Sequence, residues 1–204
     1  FSPDAKWLAT GSEDKTALIW ELETGQKIMK LAGHHAPIGS LAFSPDGKSL
    51  VTGSEDNTAK IWDLDDHSEA TVSAGHHKGV TSIAFSPDGK KYVTGSLDHT
   101  ANIWDASSGQ LLLHLEGHTE PILSIAFSPD GKRLATGSSD HTAKIWDLSA
   151  PTASGPAGKI IYTLHGHEKF VNSVAFSPDG KWLATASGDS TAKVWDTSSG
   201  QAMK

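Results

Sequence analysis

The tetrapeptide Phe-Ser-Pro-Asp occurs five times, at Phe1, Phe43, Phe85, Phe127 and Phe176. A tryptophan follows each copy by 19 residues, at Trp20, Trp62, Trp104, Trp146 and Trp195. Three steps of 42 residues and one of 49 separate the copies. A period of about 40–45 residues marks supersecondary units that bury apolar surface only by stacking on their neighbours. The copies are close relatives, with residues 43–64 and 127–148 agreeing at 18 of 22 positions. They divide one domain into units 1–42, 43–84, 85–126, 127–175 and 176–204. The extra length of the fourth unit falls in residues 149–158, where small residues and prolines read as an enlarged surface loop.

Turn chemistry is legible within a unit. Ser44-Pro45-Asp46-Gly47 carries serine, proline and glycine where a type I turn prefers them. It separates strand-like stretches at Ile38–Phe43 and Ser49–Thr52. Glu55-Asp56-Asn57 makes a second turn before Thr58–Leu64, and a fourth strand is clearest at Gln110–Leu115. Apolar side chains on both strand faces, as in Ile61-Trp62, require cover on both sides of the sheet. Radial repetition of four-stranded units supplies that cover.

The chain resembles the WD40 family of β-propellers. The resemblance rests on the glycine-histidine pairs Gly33-His34, Gly75-His76, Gly117-His118 and Gly166-His167, the aspartate of each GSxD-like turn, and the Trp-Asp endings. It implies an all-β propeller of four-stranded antiparallel blades, with five WD40-type units of which the first and last are incomplete. It also implies one buried hydrogen-bonded tetrad per blade. On this sequence the tetrads are His34, Thr52, Asp56 and Trp62; His76, Thr94, Asp98 and Trp104; His118, Thr136, Asp140 and Trp146; and His167, Thr185, Asp189 and Trp195. The first unit offers Thr10, Asp14 and Trp20 without a histidine. Two departures stand out: Glu21 where the other units have aspartate, and Ala5 where they have the turn glycine, a site of expected strain. The fifth unit lacks the segment equivalent to Lys30–Ala42. The seam is therefore expected to be completed by further blades of a larger ring, by closure of five blades, or by self-association.

A repeated Thr-His-Asp set could be mistaken for a nucleophile, base and orienting acid. A catalytic constellation belongs at one cleft, whereas this one recurs in every complete unit, so the reading is structural and the chain is not an enzyme. Of His34-His35, His76-His77 and His165-Gly-His167, one histidine each belongs to a tetrad, and no set of three or four ligands converges at metal-binding spacing. No metal and no cofactor is expected. Without cysteine the chain has neither disulfides nor a thiolate site. The formal charge is −7, yet 15 of the 24 acidic residues occupy three recurring positions and form no patch. Lysine and arginine do not cluster, which argues against nucleic acid. No membrane-length apolar run and no targeting segment appears, so the expectation is a cytoplasmic protein without a membrane partner.

Subtracting the repeat leaves the residues that differ among units. Phe170 stands where other units have Pro37, Gly79 and Pro121; two positions on, the series is Gly39, Thr81, Leu123 and Asn172. Before the turn aspartate it is Glu13, Glu55, Leu97, Ser139 and Gly188. In the resembled family these loops surround the channel mouth, which makes Leu97, Leu123, Phe170 and Asn172 candidate partner contacts. Trp7 and Trp182 replace Ser49, Lys91 and Arg133 and are candidates for contact with other blades or another chain, the alternative being local packing. The expected function is a noncatalytic protein-interaction scaffold, a module of a larger regulatory or sensory protein. The alternative is a propeller that binds a small ligand or glycan in repeated pockets.

Overall fold

The computed structural model describes residues 1–66, 69–149 and 158–203, without the side chains of 69–71. The body of the enlarged loop expected at 149–158 lies outside the described residues. Five antiparallel sheets follow one another along the chain. The first holds β1 (Trp7–Gly11), β2 (Thr16–Glu21) and β3 (Lys27–Ala32). The second holds β4 (Ile38–Phe43), β5 (Ser49–Ser54), β6 (Thr58–Asp63) and β7 (Glu69–Ala74). The third holds β8 (Val80–Phe85), β9 (Lys91–Ser96), β10 (Ala101–Asp105) and β11 (Leu111–Leu115). The fourth holds β12 (Ile122–Phe127), β13 (Arg133–Ser138), β14 (Ala143–Asp147) and β15 (Lys159–Leu164). The fifth holds β16 (Val171–Phe176), β17 (Trp182–Ser187) and β18 (Ala192–Asp196).

The first strands of successive blades pack on one another, β4 on β8, β8 on β12 and β12 on β16, so they line the common axis. The fourth strands form the rim. The first blade has no such inner strand, and the fifth has only a bridge between Trp195 and Ala202 where its rim strand begins. Among the described residues, no main strand-to-strand packing joins the fifth blade to the first. The result is an arc of blades, an incomplete propeller.

Each blade buries a trailing face under the leading face of the next, which makes four separate cores. Ala9, Ala17 and Ile19 of the first blade meet Ile38, Leu50 and Trp62 of the second. The same mating joins Val51 and Ile61 to Tyr92 and Trp104, Val93 and Ile103 to Leu134 and Trp146, and Ala135 and Ile145 to Leu183 and Trp195. Apolar residues on both strand faces are thereby covered. The second strand runs through Ser54, beyond the Thr52 expected from sequence. Gly53 does not turn the chain; it lies flat under Val80 of the next blade, where a side chain would collide.

The Ser-Pro-Asp-Gly turns are closed by their own residues. The Gly47 amide donates to Ser44 O at 2.9 Å, and Asp46 Oδ1 accepts from Ser44 Oγ at 2.6 Å and the Lys48 amide at 3.0 Å. Gly47, Gly89, Gly131 and Gly180 sit at φ 67–74°, the left-handed region open to glycine. Ala5 is held in the same region at φ 56°, so the first turn carries the expected strain.

Candidate protein-interaction face

The tetrads are built where the loop before each inner strand meets the turn between the second and third strands. In the second blade, Trp62 Nε1 donates to Thr52 Oγ1 at 2.9 Å. Thr52 Oγ1 lies 2.8 Å from His34 Nε2, and His34 Nδ1 lies 2.8 Å from Asp56 Oδ2. With the carboxylate accepting from Nδ1–H, the neutral imidazole takes the threonine proton at Nε2, and the relay Trp→Thr→His→Asp satisfies every buried polar group. The His–Asp distance is 2.9 Å at His76–Asp98, 2.6 Å at His118–Asp140 and 2.8 Å at His167–Asp189. The His–Thr distances are 2.7, 2.7 and 2.8 Å in the same order. In the first blade only the Trp20-to-Thr10 bond forms, at 3.0 Å.

Electrostatics agree with that relay. Burial pushes the Asp56 carboxyl up, but hydrogen bonds from Thr58, the His35 amide and His34 outweigh it and hold it at about 2. Asp98 is held at about 2 by the same balance, and Asp140 lies well below the usual carboxylate range. At Asp189 the Thr191 hydroxyl is the leading cause of a similar depression. Burial also pulls the His76 imidazole below its ordinary value, and Asp98 restores only part of the difference. His76 is a neutral tether between loop and strand, with both ring nitrogens engaged. Among the described residues no group of three acidic, histidine or cysteine side chains could hold a metal ion.

The third recurring acid, after each tryptophan, caps the turn that follows. Asp105 accepts from the amides of Ser107 and Ser108 at 3.0 and 2.9 Å. The recurring acidity is thus turn and tetrad chemistry, distributed around the arc.

Tethering places the idiosyncratic residues on one face. The amide of Leu97 donates to Gly79 O at 3.0 Å, that of Ser139 to Pro121 O at 2.9 Å, and that of Gly188 to Phe170 O at 3.0 Å. Each bond clamps the pre-aspartate turn against the loop that leads into the inner strand. Leu97 is 37% and Phe170 43% exposed on this face. Phe170 and Gly188 are matched: a Cβ at 188 would strike the Phe170 ring. Gly39, Thr81, Leu123 and Asn172 are the unpaired residues of β-bulges, at the register shifts after Ile38, Val80, Ile122 and Val171. A bulge re-aims the extra side chain and ends regular pairing. Leu123 is half-buried and Asn172 exposed.

A family model for the second β-propeller of echinoderm microtubule-associated protein matches residues 38–204, and one for the WD domain, G-beta repeat, matches residues 1–21. The chain belongs to this family of WD40-repeat β-propellers. A stretch of 43 residues is 49% identical to the general transcriptional corepressor TUP1 of Saccharomyces cerevisiae. That stretch is 21% of this chain and 6% of the length of TUP1, about one repeat. It is a likeness between WD40 blades and carries nothing about the rest of TUP1.

WD40 propellers generally serve as protein-interaction scaffolds, and the loop face is the part of this one that varies. Two features of that face escape a reading of the sequence. Thr81, the bulge residue of the third blade, donates to Gly95 O at 2.9 Å and lies 2.6 Å from Ile122 O, bridging two blades. The Phe170–Gly188 pairing is the other; its only sequence trace is that both residues depart from the repeat in the same unit. Trp7 lies on the opposite face, half-buried against the core of the first two blades. Trp182 is half-buried at the start of β17. Among the described residues no helix is long and apolar enough to cross a membrane.

Proposed function

We propose that this chain is a noncatalytic protein-interaction scaffold that binds its partner through the loop face of the third to fifth blades. The observation that carries the reading is the exposure of Leu97 and Phe170 on loops clamped by backbone hydrogen bonds. Rigid apolar anchors lose little entropy on binding, which suits them to the centre of an interface. Leu123 and Asn172 supply the adjoining contacts at the channel mouth. The chain serves as one module of a regulatory or sensory assembly. The matching family model is described for a microtubule-associated protein and the similar relative is a transcriptional corepressor; these suggest different partners, so neither partner is carried over.

The test is selection of peptides from a displayed random library on the immobilised chain. Selected binders are expected to carry apolar anchors and to lose at least about tenfold in affinity, about 1.4 kcal/mol, on the Leu97→Ser/Phe170→Ser variant. Binders whose affinity is untouched by that variant would overturn the reading.

A second reading, repeated small-ligand or glycan pockets, is favoured by one observation. On the opposite face, neighbouring Ser-Pro-Asp turns enclose grooves of 460, 450 and 330 Å³ between blades one and two, two and three, and three and four. Glycan binding that survives the loop-face variant would favour this second reading.

A further inference from the structure

β8 and β12 are edge strands of different sheets and exchange no ladder bonds, so side chains join the third and fourth blades at the axis. Two neighbouring residues of β8 reach the backbone of β12. The Thr81 hydroxyl donates across the joint to Ile122 O at 2.6 Å, and the Ile125 amide donates back to Ser82 Oγ at 3.2 Å. The same Thr81 hydroxyl lies 2.9 Å from Gly95 O in its own blade, so one hydrogen is shared between two carbonyls. Gly39 and Leu123 hold the place of Thr81 in the second and fourth blades and have no hydroxyl to give. The joints on either side therefore lack this bridge.

The two bridged carbonyls stand beside variable residues of the interaction face. Gly95 lies two residues before Leu97, whose amide donates to Gly79 O at 3.0 Å, two residues before Thr81. Ile122 immediately precedes Leu123, the bulge residue of the fourth blade. Gly95 and Ile122 are also pressed together, since a Cβ at 95 would fall 2.8 Å from Ile122 Cγ2. The hydroxyl thus fixes the exposed Leu97 relative to the half-buried Leu123, on two blades that share no ladder. Two anchors held at one spacing spare a complex the entropy of ordering them.

We propose that Thr81 is a positioning residue of the interaction face. It locks the third blade to the fourth, so that Leu97 and Leu123 together receive one partner segment carrying two apolar side chains. This role rests on the protein-interaction reading of that face and adds the place where the partner crosses it, over the joint between the third and fourth blades.

Two measurements on Thr81→Val and Thr81→Ser test this role. Valine keeps the shape and loses the hydroxyl; serine keeps the hydroxyl. In the free chain, Thr81→Val is expected to speed hydrogen exchange at the Leu97 and Ile125 amides by about fivefold or more, with the slowest core amides of β5 and β17 unchanged. Thr81→Ser should match the wild type throughout. If Thr81→Val does not fold, Ser82→Ala, which removes the other bridge, takes its place. The second measurement uses library peptides that weaken on both Leu97→Ser and Leu123→Ala. They are expected to lose about fivefold or more in affinity on Thr81→Val and to recover it on Thr81→Ser. Unchanged exchange at Leu97 and Ile125 overturns the proposal, as does equal quickening of the core amides, the mark of a merely structural loss. So do joint-spanning peptides that ignore Thr81→Val or do not recover on Thr81→Ser, or binders that need Leu97 or Phe170 while none needs both Leu97 and Leu123. Binders that ignore Leu97 and Phe170 altogether overturn the interaction reading itself, and this role with it, whatever the exchange shows.

Discussion

Replacing Gly53 with alanine tests the blade contact at its tightest point. The new Cβ would lie 2.6 Å from Val80 Cγ1 and 2.8 Å from Ile83 Cδ1. Carbon atoms prefer about 3.5–4.0 Å, so two contacts are each short by about 1 Å. Rotating Val80 does not clear the site, because its Cβ is itself 3.2 Å away. Both neighbours are buried, Val80 at 2% and Ile83 at 8% exposure, so the clash moves a blade or strains a core. Overpacking of this kind costs about 1–3 kcal/mol. Alanine in a strand interior recovers about 0.5–1 kcal/mol relative to glycine. The expected net loss centres on about 1 kcal/mol, read as a fall in the urea midpoint of tryptophan fluorescence at unchanged slope. Gly39→Ala is the matched control: nothing lies within 4 Å of a Cβ built there, so it lacks the clash and should leave the midpoint unchanged or raise it by the equivalent of at most about 0.5–1 kcal/mol. Val80→Ala removes the methyl groups that collide, so Gly53→Ala should be much less harmful in that background, with a coupling of about 1 kcal/mol. Wild-type stability in Gly53→Ala, or effects that add to within about 0.3 kcal/mol, would refute the packing argument.

Three further outcomes follow from the tetrads and turns. Asp98→Ala should destabilise the fold by roughly 2–4 kcal/mol by leaving His76 and the His77 amide without their acceptor; a chemical melt showing under about half a kcal/mol would sink the tetrad's structural role. Ala5→Gly should raise stability by about 1 kcal/mol, because it relieves an alanine at φ 56°; an unchanged melting temperature would show that the turn bears no strain. Stability should also fall with acid in two stages. The folded His76 value lies below its ordinary 6.5, so the stability held by the neutral ring is present above pH 6.5 and is lost as pH falls from there through the folded value. Asp56 and Asp98, held at about 2 against an ordinary 3.8, add stability above pH 3.8 that is lost between 3.8 and about 2. A thermal midpoint that rises as pH drops below 6.5 would contradict the neutral-histidine relay.

Much of the candidate face was legible in one dimension. The series at Leu97, Leu123 and Phe170 stood out because each breaks a repeat whose other positions hold still, and the clamps between loops place those residues on one side. What the series did not disclose is why the side chains point where they do. Gly39, Thr81, Leu123 and Asn172 are bulge residues, and a bulge arises from strand pairing and twist; chemically they have nothing in common that would announce it. At Trp7, which replaces serine, lysine or arginine, the sequence leaves contact with other blades or another chain and local packing both open. Its half-burial against the core of the first two blades became visible only when the turn beneath it was placed.

By itself the sequence determined the repeat, the turn types and the strand order within a blade, and its resemblance to the WD40 family implied the residues of each tetrad. Those contacts lie within one period, so each copy of the repeat encodes its own locally. Tertiary structure alone decided which glycines sit under a neighbour's methyl group. Gly39 and Gly53 stand in neighbouring strands of one blade, yet nothing lies within 4 Å of a Cβ built at the first while the second lies beneath Val80. That difference is set by the atoms of an adjacent blade a few ångströms away, which no pattern internal to the repeat records.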